Sequence, residues 1–236
     1  MPGPHAFFDS EEAESFLNPA FFPPEIDEFL RMERCILDML SLSVDTLIEV
    51  GCHQGLNLDW AINHNKRYIG IDISSKSIDA GRQRLVKYQL SPEMYRFVEG
   101  AAEDLEHLLE WKSLQPGRSL IFFPFNSFGL VPDIAPVLTS LVSLHCIGFP
   151  FLISSYPTTS YATRCRHKYY EQCGYKQVEM SLNYQGVRFI FEEGLQTIAY
   201  HSAYLQKVFD TQNLPVVSID WSDINEIYLS CPIATT

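Results

Sequence analysis

The stretch Leu47-Ile48-Glu49-Val50-Gly51-Cys52-His53-Gln54-Gly55 reads as a short apolar strand that ends in a glycine loop and then opens a helix. Glu49 stands near the end of that strand. Gly51 and Gly55 suit a backbone that turns tightly and lets a ligand approach with no Cβ in the way. A second strand ends at Gly70-Ile71-Asp72, which puts an acid twenty-one residues after Gly51. An acidic side chain there can accept both hydroxyls of a ribose. The spacing is E-x-G-x-x-x-G, without the third glycine of a pyrophosphate-binding loop.

Outward from this loop the chain alternates strand and helix. Apolar strands are expected at 45–50, 67–73, 95–99, 119–123 and 149–154, with helices at 56–63, 75–89, 103–111 and 134–144 between them. Ser74 is placed to cap the second helix. Short strands that are apolar on both sides and separated by helices describe a doubly wound parallel α/β sheet covered on both faces. The pattern then changes. A helix at 160–173 precedes three strands at 177–183, 186–191 and 195–201, joined by Tyr-Gln-Gly and Glu-Glu-Gly turns that mark an antiparallel meander. A helix at 202–211 and strands at 216–220 and 226–231 return to the first pattern. Upstream, residues 1–24 carry Phe7, Phe8, Phe16, Phe21 and Phe22 among acids, as an apolar flap lying over the domain. The Pro23-Pro24 pair then starts a helix over 25–42. The division expected is 1–42 as flap and helix, 43–155 with 201–236 as a ligand-binding domain, and 156–200 as an inserted lid.

Composition limits the functional classes. The 236 residues are 46% hydrophobic and 19% charged, a globular balance and not a disordered one. Seventeen basic against 29 acidic residues give −12, which argues against nucleic acid and anionic membranes as partners. No apolar run reaches the roughly eighteen residues of a membrane span, and the N-terminus lacks the basic and apolar regions of a signal peptide. The six cysteines form no CxxC pair, so neither a disulfide scaffold nor a metal site is expected, and the compartment read is the cytoplasm.

With these residues the chain resembles the class I S-adenosylmethionine-dependent methyltransferases, over about residues 45–155 and again over 202–231. The first motif of that family is commonly D/E-x-G-x-G-x-G, and its second strand ends in an acid. The resemblance implies a Rossmann-like seven-stranded sheet with the last strand antiparallel, and S-adenosyl-L-methionine as cofactor. It implies that Gly51 and Gly55 pass under the methionine part of the cofactor, with Cys52 beside them, and that Glu49 orients the loop. Asp72 would hold the ribose and Ile73 would pack on adenine. The turn Val98-Glu99-Gly100-Ala101-Ala102-Glu103-Asp104 would bring the Ala102 amide to the adenine edge, with Glu103 as the nearest acid. Beyond the fourth strand, Phe125 would adjoin the cofactor, and Asn126 and Ser127 the substrate. The inserted lid would add Tyr156 and Tyr161, from a set that also holds Tyr169, Tyr170, Tyr175 and Tyr184. His53 stands where the family has its middle glycine, either crowding the cofactor's carboxylate or hydrogen-bonding to it.

The activity implied is methyl transfer to an amine or hydroxyl of a small molecule. An amine could attack unaided, whereas a hydroxyl needs a base. His145, His167, His201 and Glu171 are candidate bases, and no spacing singles one out, so the catalytic residue stays unknown. Two other readings are carried. One is a catalytically silent fold that binds a partner through an apolar patch of N-terminal phenylalanines. The other is RNA methylation through the basic cluster Arg164, Arg166, His167 and Lys168.

Overall fold

The five apolar segments become five parallel strands: β1 (Thr46–Val50), β2 (Arg67–Asp72), β3 (Tyr95–Glu99), β4 (Ser119–Phe123) and β5 (Phe151–Ser155). They appear in a computed structural model that describes residues 6–230. Every residue of β1, β4 and β5 is buried, as a sheet covered on both faces requires. The main sheet has the order β3-β2-β1-β4-β5-β10-β9, where β9 is Val216–Asp220 and β10 is Glu226–Ser230. Only β10 runs antiparallel, pairing β5 on one side and β9 on the other. The expected last residue of β10, Cys231, lies outside the described residues.

Helices α1 (Pro24–Leu40), α2 (Leu58–Asn63) and α3 (Ser75–Lys87) cover one face, burying Leu37, Trp60 and Ile78 against Leu47, Tyr68 and Phe122. The short α4 (Leu105–Leu108), α5 (Ile134–Cys146) and α7 (Ser202–Thr211) cover the other, where Leu141, Leu205 and Phe209 meet Ile48, Phe123 and Ile153. Pro24 occupies the first turn of α1, where its missing N–H costs nothing. Ser74 caps α3 by accepting the Ser77 N–H at 3.1 Å.

Several boundaries move for local reasons. The helix expected from residue 56 begins at Leu58, because Asn57 gives both its backbone N–H and its side-chain amide to Glu49. The strand expected from 149 begins at Phe151, after Pro150, which has no N–H to give a ladder. The helix expected over 103–111 is cut short where Leu109 turns extended; a 3-10 turn, Ala102–Asp104, leads into α4, and another, Trp111–Ser113, follows it.

Residues 156–200 hold α6 (Ser160–Gln172) and a separate antiparallel sheet of β6 (Gln177–Leu182), β7 (Gly186–Phe191) and β8 (Gln196–Tyr200). A third core joins this unit to the N-terminal segment. Phe7 and Phe16, with Ile26 and Phe29 of α1, pack with Tyr156, Tyr169, Tyr170, Tyr175, Phe189 and Phe191. The segment itself is a chain of 3-10 turns at Ala6–Asp9, Glu12–Ser15 and Pro19–Phe21. Polar ties fasten it at both ends: Leu17 N–H donates to Tyr169 Oη at 3.0 Å, and Tyr175 Oη donates to Glu12 O at 3.0 Å. The phenylalanines thus pack inward, and they make no exposed apolar patch among the described residues.

Candidate active site

Parallel strands all present their C-terminal ends to one side, and the ligand site of such a sheet lies where the strand order reverses. Here β1 and β4 diverge at that point, and a cavity of about 370 Å³ opens beyond them. The glycine loop forms its floor. Gly51 has φ +78, and a Cβ added there would lie 2.5 Å from Ser127 Cβ. Gly55 has φ +91, and its Cβ would come within 2.9 Å of Phe97 Cζ. Both positions require glycine on backbone and on space. The loop is braced from outside by Arg84 of α3, whose guanidinium donates to the carbonyls of Gln54 and Gly55 at 2.8 and 3.0 Å.

Glu49 lies beneath this loop, fully buried. It accepts from Asn57 Nδ2 at 2.6 Å, from Asn57 N at 3.2 Å and from the Tyr68 hydroxyl. Burial pushes its carboxyl up to about 7, against the pull of those donors. It therefore shapes the loop and does not line the cavity. Asp72 does line it: one carboxylate oxygen accepts His53 N–H at 2.7 Å and the other Ser74 N–H at 2.9 Å. Burial raises its pKa, and those two amides oppose the rise.

Of the residues singled out in the sequence, Gly51, Asp72, Ile73, Ala102, Glu103 and Ser127 come together around the cavity. Glu49, Cys52, Gly55, Phe125, Asn126, Tyr156 and Tyr161 do not line it. Cys52 is buried under the loop, its thiol raised by desolvation. Phe125 packs among Phe16, Phe29, Tyr156 and Tyr169, and gives its N–H to Glu33 Oε1 at 2.6 Å. Asn126, left-handed at φ +59, ties the β4 end to the small sheet. It donates to Thr197 Oγ1 at 3.2 Å and Ile198 O at 3.1 Å, and accepts from Ser155 Oγ at 2.7 Å. Tyr156 is wholly buried in the aromatic core, and Tyr161 is half-exposed on α6.

The candidate bases stand elsewhere. His145 is buried at the end of α5, His167 faces Glu171 at 3.4 Å along α6, and His201 meets Thr158 at 2.7 Å. None of these four groups lines the cavity. The basic cluster is dispersed as well, with Arg166 wholly buried over Phe189 and Lys168 paired with Glu25 at 3.6 Å. Among the described residues no group of three or more His, Cys, Asp or Glu could hold a metal ion.

Two sets of lining residues lie outside the site residues named from the sequence, although the first comes from the expected N-terminal flap. Phe8, Ser10, Glu14, Phe16 and Leu17 form a strap over the cavity, and Leu130, Val131 and Pro132 close its β4 side. The strap is anchored on α3: Asp9 accepts from Ser74 Oγ at 2.9 Å, and Lys76 Nζ meets Glu14 at 2.6 Å. Such pairings across 65 residues of chain leave no periodicity to read.

The strand order, the reversed β10, the glycine loop and the acid ending β2 define the class I S-adenosylmethionine-dependent methyltransferase fold. Residues 48–112, from β1 past the Ala102 turn, match the methyltransferase domain family. The didemethyltoxoflavin N1-methyltransferase of Burkholderia thailandensis, solved with S-adenosylhomocysteine, aligns over 98% of this chain and 90% of its own (12% identity, TM-score 0.61). The CcbJ methyltransferase of Streptomyces caelestis aligns over 97% and 98% (14% identity, TM-score 0.61). The PH0226 protein of Pyrococcus horikoshii aligns over 92% and 97% (9% identity, TM-score 0.62). Comparison with curated protein sequences gives no significant match. The chain thus has the class I S-adenosylmethionine-dependent methyltransferase fold, and its cofactor-side segment matches the methyltransferase domain family. The residues present fit that cofactor: a glycine floor that any Cβ would fill, an acid for ribose hydroxyls, and an apolar wall for a base.

Proposed function

We propose that this methyltransferase transfers the methyl group of S-adenosyl-L-methionine to an amine or hydroxyl of a small molecule. The observation that supports it is the strap that partly covers the cavity. The glycine loop and Asp72 share about 370 Å³ with Phe8, Phe16 and Leu17 of the strap, a space suited to a small ligand and not to a polymer. In this reading Gly51, Asp72, Ile73, Ala102 and Glu103 touch the cofactor, while Glu49, Cys52, Gly55 and Phe125 hold the walls behind them. Ser127 stands at the acceptor side. Asn126, Tyr156 and Tyr161 act through the lid of residues 156–200, Asn126 by its bonds to Thr197 and Ile198.

When bound, the sulfonium cofactor supplies an electrophilic methyl group. The protein's task is then to align the nucleophile and exclude water, which the aromatic strap serves. An amine brings its own lone pair, whereas a hydroxyl needs a base within hydrogen-bond reach. His145, His167, His201 and Glu171 all stand away from the cavity, so a base for a hydroxyl would have to come from the lining groups His53, Glu14 or Glu103. The five described cysteines are unpaired, in keeping with a reducing, cytoplasmic setting.

Two measurements test the reading. Thermal unfolding with S-adenosylhomocysteine, NAD and ATP is expected to show a shift of a few degrees with the first alone. Methyl-labelled cofactor, incubated with a panel of small amines and phenols, is expected to label an amine or a phenol. No selective shift would favour the silent partner-binding fold. Cofactor binding with label going only to RNA would favour the nucleic-acid reading.

A further inference from the structure

We infer that His53 recognises the carboxylate at the amino-acid end of the cofactor, and so sets this chain's preference for cofactors that carry one. The inference rests on reading the cavity as the S-adenosylmethionine site. His53 lies between the two loop glycines with φ +50, a left-handed backbone that few non-glycine residues adopt. Keeping a side chain at such a position costs conformational energy. Its ring lines the cavity and has no hydrogen bond, ion pair or ring contact among the described residues. Burial holds the imidazole pKa down to about 4, so at neutral pH the ring offers one N–H donor and one acceptor.

A carboxylate entering this loop needs donors, because burying it without them is costly. Most donors nearby are already committed. The N–H groups of Gly51 and Cys52 both go to Ile71 O, at 2.9 and 3.0 Å. The N–H of His53 goes to Asp72 at 2.7 Å, and Ser127 Oγ donates to Val50 O at 2.8 Å. Lys76, the one cation among the described lining residues, is held by Glu14 at 2.6 Å. The acids of the lining, Asp72, Glu14 and Glu103, complement hydroxyls and an ammonium and repel a carboxylate. The donors left at the loop among the described residues include the His53 ring N–H and the Gln54 backbone N–H, and of these only the ring is a side-chain group peculiar to this position. The neighbouring Gln54, whose side chain is exposed, is the rival.

Calorimetric titration separates them. The ligands are S-adenosylhomocysteine and its decarboxylated analogue, which keeps the adenosine, the thioether and the ammonium. The proteins are the wild type, His53→Gly, His53→Asn and Gln54→Ala. His53→Gly is expected to weaken S-adenosylhomocysteine on the order of tenfold or more and to leave the analogue nearly unchanged. His53→Asn, with an amide donor on a residue that tolerates left-handed backbone, should recover part of the loss. Tighter S-adenosylhomocysteine binding by His53→Gly would mean that the ring crowds the site. Equal loss for both ligands would mean that it only shapes the loop. Lost selectivity confined to Gln54→Ala would move the contact there. Each of these overturns the inference. A wild type that binds neither ligand refutes the cofactor reading itself, and the inference falls with it.

Discussion

Gly51→Ala probes the floor of the site through two separable costs. The first is backbone strain, since alanine at φ +78 sits in the left-handed region at about 1–2 kcal/mol. The second is collision. The new Cβ would lie 2.5 Å from Ser127 Cβ, where carbon atoms rest about 3.5–4.0 Å apart. Ser127 cannot swing aside, because its Oγ donates to Val50 O at 2.8 Å and its N–H to Pro124 O at 2.7 Å. The β1 and β4 loops must therefore separate, an overpacking cost of about 1–3 kcal/mol. Together the variant should lose about 2–5 kcal/mol. Ser127→Gly removes the opposing Cβ. In the double variant the collision vanishes and only the strain remains, so urea unfolding of all four proteins should yield a coupling of about 1–3 kcal/mol. Strictly additive costs, or a Gly51→Ala within about 0.5 kcal/mol of wild type, would refute the contact and the role given to the loop.

Asp72→Ala removes a half-buried acceptor at the end of β2. It should weaken S-adenosylhomocysteine by about 2–4 kcal/mol in calorimetry, while unchanged affinity would show the cavity misread. Glu33, buried beside Phe125 N–H, has its carboxyl raised by desolvation from 4.5 to about 8. A raised acid pKa means the folded state holds the proton more tightly. Its stability contribution is complete below pH 4.5 and is lost as pH climbs towards about 8. Glu33 alone should therefore add a fall of up to about 1.4 kcal/mol per pH unit across that window, on top of that from Glu49, and Glu33→Gln should flatten the fall without abolishing it. An identical slope in the variant would exclude Glu33 as its source. Arg166 is wholly buried with its guanidinium 4.4 Å from the Phe189 ring centre; Nη2 donates to Val187 O at 2.7 Å, Nε finds no partner, and no acid pairs with it among the described residues. Arg166→Met should thus cost under about 1.5 kcal/mol or stabilise the fold, and a loss above about 3 kcal/mol would expose an unrecognised charge partner.

The class of fold was legible because it is written in local order. Apolar segments of five or six residues, spaced by amphipathic helices, can satisfy their backbone and bury both faces in few ways other than a parallel sheet. The late meander announced itself through its Gly-containing turns, and every expected strand is present within two residues. The cofactor side of the site was legible for a related reason. Gly51, Gly55 and Asp72 answer to backbone geometry at strand ends, and strand ends are set by neighbours in sequence. The Ala102 turn follows β3 by the same logic.

The acceptor side was not. Asn126, Tyr156 and Tyr161 follow strands or open a helix just as the cofactor residues do, yet none of them lines the cavity. Asn126 is claimed by Thr197, Ile198 and Ser155, and Tyr156 by the aromatic core around Phe29 and Phe125. Their places are taken by Phe8, Phe16 and Leu17, from a segment with no helical or strand period, held down by Asp9 on Ser74 and Glu14 on Lys76. Sequence by itself determined the sheet, the glycine loop and the acid that faces it, because each follows from hydrophobic period and turn chemistry over a short span. Only the tertiary structure decided what closes the cavity and which polar groups remain free inside it. That choice is a competition among side chains distant in the chain for the same partners, and it has no local signature.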